Sequence, residues 1–135
     1  MSEIKVDTLT GKTSAGDITV TSEGGAATMQ LQQGLAKAWV NFNGTGTPAI
    51  NNSNNVSTLT DTAAGQQTFA FTNAMNNANY APSAISTANV SGDANIGASG
   101  IDNAPHSKTT LQIRMHIGEG YDPADGATTV HGDLA

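Results

Sequence analysis

Residues able to bind a metal ion lie in two short stretches near the end of the chain. His131 and Asp133 are two apart in a predicted strand and share a face, where an imidazole and a carboxylate could meet a metal. Glu119, Asp122 and Asp125 offer the oxygen ligands that calcium prefers. Asp-Pro and Asp-Gly are ordinary turn formers, however, and the closing Glu of a calcium-binding loop is missing. We therefore predict a turn here, with no metal site and no cofactor.

The other chemistry-bearing residues form no catalytic pattern. The sequence has no cysteine, which rules out a thiol nucleophile, a disulfide and a zinc-thiolate site. His106, His116 and His131 lack the spacing of histidine metal motifs, although one histidine on a three-fold axis would supply three ligands. No nucleophile elbow and no phosphate-binding or dinucleotide-binding glycine pattern occurs. The sequence therefore predicts a protein that is not an enzyme.

Charge restricts the partners of the chain. Five basic residues stand against eleven acidic ones, for a net charge of −6. Because so few basic residues cannot line a phosphate groove, we expect no nucleic-acid partner and no anionic membrane. The opening nine residues contain Glu3 and Asp7 and no long apolar run, so neither a signal peptide nor membrane insertion is expected. The protein is expected in a cytosol, or assembled there into something larger.

Residues 1–36 are predicted to form an extended N-terminal arm of short pieces. The β-branched stretch 18–21 favours a strand, and 26–35 favours a short helix that Gly34 weakens. Each piece is too short to be stable alone, so the arm is expected to order against a partner; the alternative is a loose tail. Its predicted interface residues are Ile4, Val6, Leu9, Ile18, Val20, Met29, Leu31 and Leu35.

Residues 37–135 are predicted to form a small antiparallel β-sandwich, which makes the fold all-β. Apolar and polar residues alternate over 37–43, as in a strand with two different faces. Residues 91–106 are rich in Gly, Asp and Asn and favour a long loop that could contact a partner. The other predicted strands are one around Val56 and Leu59, then 67–72, 80–85 (an edge strand because of Pro82), 109–117 and 128–134.

Aromatic residues indicate the core of this domain. Phe42, Phe69 and Phe71 are predicted to supply it together with Val40. Trp39 lies on the opposite face of its strand and is expected either in a second core layer, which is the preferred interpretation, or at an interface. The chain is dominated by small residues and cannot build a thick core of its own. Oligomerisation is therefore expected.

Several blocks of the sequence resemble small tail-fibre-like virion proteins of marine bacteriophages. Together they span about half of the chain in the order of that family, whereas 92–106 and 131–135 have no counterpart in it. The resemblance implies a homotrimer in the virion, assembled in the host cytoplasm, with other phage proteins of the tail, neck or capsid as partners. It implies no catalytic residues. The blocks are 1–9, 37–47 (Lys-Ala-Trp-Val-Asn-Phe-Asn-Gly-Thr-Gly-Thr), 55–61, 67–75 and 78–81.

The hypothesis that follows is a short trimeric tail-fibre-like protein. Its arm would attach it to the particle, and its β domain would project outward, with a host-surface glycan or protein as a further partner. A capsid decoration (cement) protein that stabilises the head is the first alternative, because 135 residues is short for an extended fibre. A carbohydrate-binding module is the second, which one Trp and two Tyr disfavour.

Overall fold

The chain divides into two units in the computed structural model, which describes residues 3–87, 96–98, 107–114 and 122–135. The first unit, Met1–Leu35, is called the arm below, and the second, Ala36–Ala135, is called the β domain. Antiparallel strands predominate in the described residues, where the only helix is the single turn α1 (Leu31–Gly34). The predicted all-β class is confirmed.

Ten strands are present in the described residues. Each is short, and the longest has eight residues. In chain order they are β1 (Thr19–Thr21), β2 (Thr28–Gln30), β3 (Ala38–Asn43), β4 (Ala49–Asn54), β5 (Val56–Ala63), β6 (Gln66–Phe71), β7 (Ala81–Thr87), β8 (Ile96–Ala98), β9 (Thr110–Arg114) and β10 (Gly126–His131).

The β domain contains two antiparallel sheets. One has five strands in the order β4-β3-β10-β7-β8, and the other has three in the order β5-β6-β9. Strand β10 lies between β3 and β7, so that Thr128 pairs with Val40 on one side and with Ala84 on the other. The last strand of the chain is therefore the middle strand of its sheet.

Strand β3 confirms the predicted strand with two faces. Ala38, Val40 and Phe42 are buried, whereas Trp39 is exposed. The buried face packs into the core and the other face points away from it, as the alternation requires. Lys37 departs from the pattern, because it precedes the strand and is buried. Its backbone N–H donates to the carbonyl oxygen of Val130 at 2.8 Å.

Residues from both sheets form one hydrophobic core. The rings of Phe42 in β3 and Phe69 in β6 meet edge to face, with centroids 5.0 Å apart. Phe42 also lies directly over Gly126 of β10, where a Cβ would come within 2.5 Å of the ring. Only glycine leaves room for that ring. The buried members of the core are Ala38, Val40, Phe42, Phe69, Phe71, Met75, Tyr80, Leu111 and Val130.

An irregularity in β5 explains an apolar spacing that does not fit a regular strand. Val56 and Leu59 are three residues apart, and in a regular strand they would face opposite ways. The pairing of β5 with β6 shifts register between Val56 and Thr58, so that Val56 lies opposite Phe71 and Leu59 opposite Phe69. Both apolar side chains therefore pack against the core.

Other predictions need correction. The helix expected at 26–35 is wrong for the most part, because 28–30 pair with β1 as strand β2. Strand β7 is not an edge strand, since it lies between β10 and β8. In the described residues β8 pairs only with Ile85–Thr87. Pro82 lies outside that paired stretch, so its missing N–H interrupts no hydrogen bond to β8. Residues 96–98, expected in a loop, form β8.

Two further predictions are affected by the limits of the described residues. The rest of the predicted contact loop, 91–95 and 99–106, lies outside them, as do residues 115–117 of the strand predicted at 109–117. Residues 110–114 of that strand are β9.

Strand β4, which no sequence pattern predicted, pairs with β3. Its Asn-rich sequence has one large apolar residue, Ile50, and therefore no alternation to detect.

Candidate functional site

The arm contains a two-stranded hairpin. Strands β1 and β2 pair antiparallel, with Val20 opposite Met29, and Ser22 closes the turn through a 2.8 Å bond from its N–H to the carbonyl of Ala27. Gly25 in this turn has φ 71°, a conformation that suits glycine. The hairpin therefore presents one apolar cross-strand pair on one face, and on the other a Thr19–Gln30 pair and a Thr21–Thr28 pair.

No residue of 3–35 is buried. Ile4 is 85% exposed, and the hairpin pair Val20 and Met29 are 43% and 53% exposed. The structure leaves all eight predicted interface residues at least partly open to solvent. Six of them are exposed, namely Ile4, Val6, Leu9, Val20, Met29 and Leu35, and the other two, Ile18 and Leu31, are intermediate.

The predicted aromatic core residues fall on both sides of the five-stranded sheet. Phe42, Phe69 and Phe71 are buried, as predicted for the core. Phe71 contacts Tyr80 edge to face, with ring centroids 5.7 Å apart. Trp39 is 36% exposed, so the preferred prediction that it is buried is wrong. The face of β3 that carries it is therefore partly open to solvent at this position.

Small and polar side chains surround Trp39 on this outward face. In the strand register, Trp39 lies opposite Asn54 of β4 on one side and opposite Thr129 of β10 on the other. Side chains directly opposite across an antiparallel pair have Cβ atoms about 4.5–5.5 Å apart. The indole therefore has a carboxamide and a hydroxyl beside it rather than bulky apolar side chains.

A hydrogen-bonded chain of polar groups lies next to the tryptophan on the same face. Asn41, two residues along β3, accepts a 2.9 Å bond on its Oδ1 from Asn51 Nδ2. Its own Nδ2 donates to Asp125 Oδ1 at 2.8 Å. Neither Asn41 nor its two partners were among the predicted site residues. Trp39 and Asn41 alternate with the buried residues of β3, so the sequence could have placed both on the outward face. That Asn51 and Asp125 bond to Asn41 depends on the tertiary structure.

The predicted acidic turn anchors backbone and amide groups. Asp122 accepts bonds on Oδ1 from the N–H of Gly65, at 2.8 Å, and from Gln67 Nε2, at 3.0 Å. Residues 124 and 125 form a bend immediately before β10. Asp122 thereby links this segment to the hairpin between β5 and β6. Glu119, the third residue of the calcium alternative, lies outside the described residues.

The histidines converge on no cluster within the described part of the chain. His131 ends β10 and is exposed, as is Asp133, while His106 and His116 lie outside the described residues. Where the structure describes the chain, no three His, Asp or Glu side chains come together as a metal site would require. The same residues include no helix with the length and apolar character needed to cross a bilayer.

A comparison of the chain with protein-family models, with curated proteins and with solved structures finds no match.

The described residues thus offer two surfaces suited to binding. The arm offers exposed apolar side chains, which associate by removing their surface from water. The outward face of the five-stranded sheet offers an indole ring beside ordered carboxamide and carboxylate groups, which can stack and form hydrogen bonds.

Proposed function

We propose that this chain is a bacteriophage virion structural protein, a short tail-fibre-like homotrimer that attaches to the particle by its N-terminal arm. The observation that carries the proposal is the contrast in burial between the two units. The arm has no buried residue in 3–35 and exposes most of its apolar side chains. The β domain, in contrast, closes a core of its own.

The arm needs a partner to become stable. An isolated two-stranded hairpin is marginal at best in water, and α1 is a single turn. Val20 and Met29 gain little from their mutual contact while both remain exposed. Packing against sister arms, or against a protein of the phage tail, neck or capsid, would remove this surface from water and fix the arm.

The β domain is the part that would project from the particle. We propose that its two sheets form a small β-sandwich, because Phe42 of one sheet packs directly on Phe69 of the other. Such a domain has a core of its own, and a net charge of −6 favours solubility of the displayed surface. Host-surface contact is the role proposed for it, in a virion assembled in the host cytoplasm.

The proposed three copies and the proposed tail-fibre-like family rest on the sequence resemblance. The blocks at 37–47, 55–61 and 67–75 resemble trimeric tail-fibre-like proteins of marine phages, and they include β3 and parts of β5 and β6. No catalytic residue, cofactor, nucleic acid or membrane is part of the proposal.

A capsid decoration protein is the second candidate, supported by the same arm. A compact protein of 135 residues that clamps neighbouring capsid subunits would also need exposed apolar side chains at its N-terminus. The two candidates differ in position on the particle, since decoration places the protein on the head and a fibre at the tail or neck.

The oligomer is tested by light scattering of the purified full chain. We expect a mass about three times the 13.7 kDa of one chain. The double variant Val20→Asp with Met29→Asp should lower this mass, because two carboxylates would replace the apolar pair. The double variant Thr21→Asp with Thr28→Asp is the matched control. It places the same charges on a directly paired position of the same hairpin, on the opposite face.

The outcomes separate the proposals. A monomer for the unchanged chain contradicts the self-sufficient trimer, and an equal effect of both double variants contradicts the apolar face as the contact. Position is tested by immunogold labelling of the whole virion. Label at the tail or neck supports the fibre, label over the head supports the decoration protein, and unlabelled virions contradict both.

A further inference from the structure

Trp39 is the one large aromatic side chain in the described residues that remains exposed. The three phenylalanines and Tyr80 are buried in the core of the β domain, whereas Trp39 keeps more than a third of its surface open on the other face of the five-stranded sheet. An exposed tryptophan lowers the free energy of the fold less than a buried one would. Its ring is available for an external ligand.

The neighbours of Trp39 leave the ring accessible. Asn54 and Thr129 lie directly opposite it in the two adjacent strands, and Ser83 follows Thr129 in the same row of the sheet. These side chains are short, and the indole beside them keeps 36% of its surface exposed. The result is a partly exposed aromatic ring on the sheet, called the platform below, bordered by hydroxyl and carboxamide groups.

The polar groups next to the platform are held in place before any ligand binds. Asn51 donates to Asn41, which in turn donates to Asp125, over 2.9 and 2.8 Å. Asn41 follows Trp39 by two residues in β3 and is therefore on the same face, about 6.5 Å along the strand. Side chains already ordered lose less conformational entropy on binding.

A hexopyranose matches this arrangement. One face of the sugar ring consists of C–H groups that stack on an aromatic ring, and its rim carries hydroxyls that both donate and accept hydrogen bonds. The carboxamide of Asn51 can donate to and accept from such hydroxyls, and the carboxylate of Asp125 can accept from them. A sugar stacked on Trp39 would have these groups within reach of its own hydroxyls or those of the next sugar.

The charge of this face favours neutral sugars over acidic ones. Asp125 is the carboxylate of this group, and the side chains of Trp39, Asn41, Asn51, Asn54 and Thr129 are uncharged. Lys37, two residues before Trp39, is buried, and His131 lies two residues beyond Thr129 at the end of β10. Together with the net charge of −6, the Asp125 carboxylate disfavours uronic acids, sialic acids and sulfated sugars by like-charge repulsion.

A protein partner fits less well than a glycan, since the centre of a protein interface is depleted in charged residues and holds several aromatic and apolar anchors, whereas here a single tryptophan lies near a carboxylate. We infer that the outward face of the five-stranded sheet around Trp39 binds a neutral glycan. The inference rests on the proposed function, because it names the ligand class of the host contact and places that contact on a sheet face.

The test uses the full chain and soluble neutral polysaccharides, namely laminarin, dextran, mannan and galactan, with alginate as the acidic comparison. Because Trp39 is the only tryptophan of the chain, its fluorescence reports on this site alone. We expect a saturable change in emission with at least one neutral polysaccharide and none with alginate. Binding by the variants is read from retardation in gels that contain the same polysaccharide.

Trp39→Ala should weaken retardation roughly tenfold or more, as loss of a central aromatic contact does. Trp39→Phe should restore part of the binding, because a smaller ring still stacks. Ile85→Ala is the matched control. It removes an exposed apolar side chain from the same face, two strands away in β7, and should leave binding unchanged. Circular dichroism of each variant verifies that the sheet is retained.

Three results would overturn the inference. They are no binding to any of the four neutral polysaccharides, binding by Trp39→Ala equal to that of the unchanged chain, and a lower mass of Trp39→Ala in light scattering, which would make Trp39 a contact between copies. The light-scattering mass of the unchanged chain separates this test from that of the trimer. If the unchanged chain is monomeric and still binds, only the trimer fails; if a trimer forms and does not bind, only the glycan site fails.

Discussion

The same residue types have opposite fates in the two units of this chain. Val20 and Met29 of the arm are 43% and 53% exposed, whereas Val40 and Met75 of the β domain are almost completely buried. All four residues lie in strands or, for Met75, in an isolated bridge to Leu134. Strand formation therefore does not by itself bury an apolar side chain; a second layer does.

The β domain supplies that second layer from its own sequence. The five-stranded and three-stranded sheets contribute to one core, with Phe42 against Phe69. The arm has a single hairpin, and a two-stranded ribbon has no second sheet to cover its apolar face. We propose that the arm, which lacks a second sheet, covers its apolar face with other chains.

Methionine truncation in the two units has the largest expected difference. Met75→Ala should lower the free energy of unfolding of the β domain by about 2–5 kcal/mol, because it leaves a cavity in a closed core. Met29→Ala should change it by less than about 0.5 kcal/mol, since the side chain is already exposed. Urea denaturation of both variants measures the difference. Equal effects would show that the arm belongs to the same cooperative unit.

Asn55 tests the connection between the two sheets. It joins β4 to β5 with φ 56°, and its side chain donates to the carbonyls of Lys37 and Asn73 and accepts from the N–H of Asn73 at 2.6 Å. Asn55→Ala loses these bonds and places a Cβ in the left-handed region, which should cost about 2–3 kcal/mol. Asn55→Gly should cost about 1 kcal/mol less than that.

Asn54→Ala is the control for this prediction, because Asn54 is adjacent and exposed; its expected change stays within about 0.5 kcal/mol. Urea midpoints of the three variants provide the measurement. If alanine and glycine at position 55 cost the same, the backbone conformation contributes nothing and only the hydrogen bonds count.

Tyr80 makes the stability of the β domain depend on pH in the alkaline range. Its hydroxyl donates to the carbonyl of Thr110 at 2.7 Å, and burial raises the pKa of Tyr80 from 10.0 to about 12. The unfolded chain therefore loses the phenol proton first. Stability from this group is complete below pH 10 and decreases as the pH rises from about 10 through 12.

Tyr80→Phe removes this source of alkaline destabilisation at a cost of about 1 kcal/mol at neutral pH, for the lost hydrogen bond. Thermal melting of both proteins between pH 7 and pH 12 is the measurement. A decline of the same steepness in the variant would contradict the assignment to Tyr80.

Cleavage within the arm should have the smallest effect on the β domain. Lys5 and Lys12 are exposed, whereas Lys37 at the start of the β domain is buried. Brief trypsin treatment should therefore cut after Lys12 before Lys37, as read by mass spectrometry. The cut should change the unfolding free energy of the remaining β domain by less than about 0.5 kcal/mol. Cleavage after Lys37 first would contradict the boundary between the units.

Local patterns predicted the parts of the fold where one side of a strand faces the core. The alternation in 37–43 identified β3, and Phe69 and Phe71 identified β6 with its buried face. The pattern failed where burial is weak. Strand β4 has one large apolar residue, and residues 28–30, which favoured a helix by their apolar spacing, pair with β1 instead.

The two candidate surfaces were predictable to different degrees. The apolar residues of the arm could be picked out from the sequence, and their exposure is consistent with a surface for other chains. The group around Trp39 could not, because Asn51 reaches Asn41 from the bulged neighbouring strand and Asp125 reaches it from 84 positions along the chain. No spacing rule relates residues that are brought together only by a bulge in β4 and a bend before β10.

The sequence by itself determined the all-β class, the separation of a coreless arm from a core-bearing domain and the identity of the core phenylalanines, because these depend on local alternation and on residue type. The tertiary structure alone decided that β10 lies between β3 and β7 and that Trp39 is left uncovered. Both depend on which distant strands pair and on whether another layer packs outside a sheet. A single strand carries no information about either.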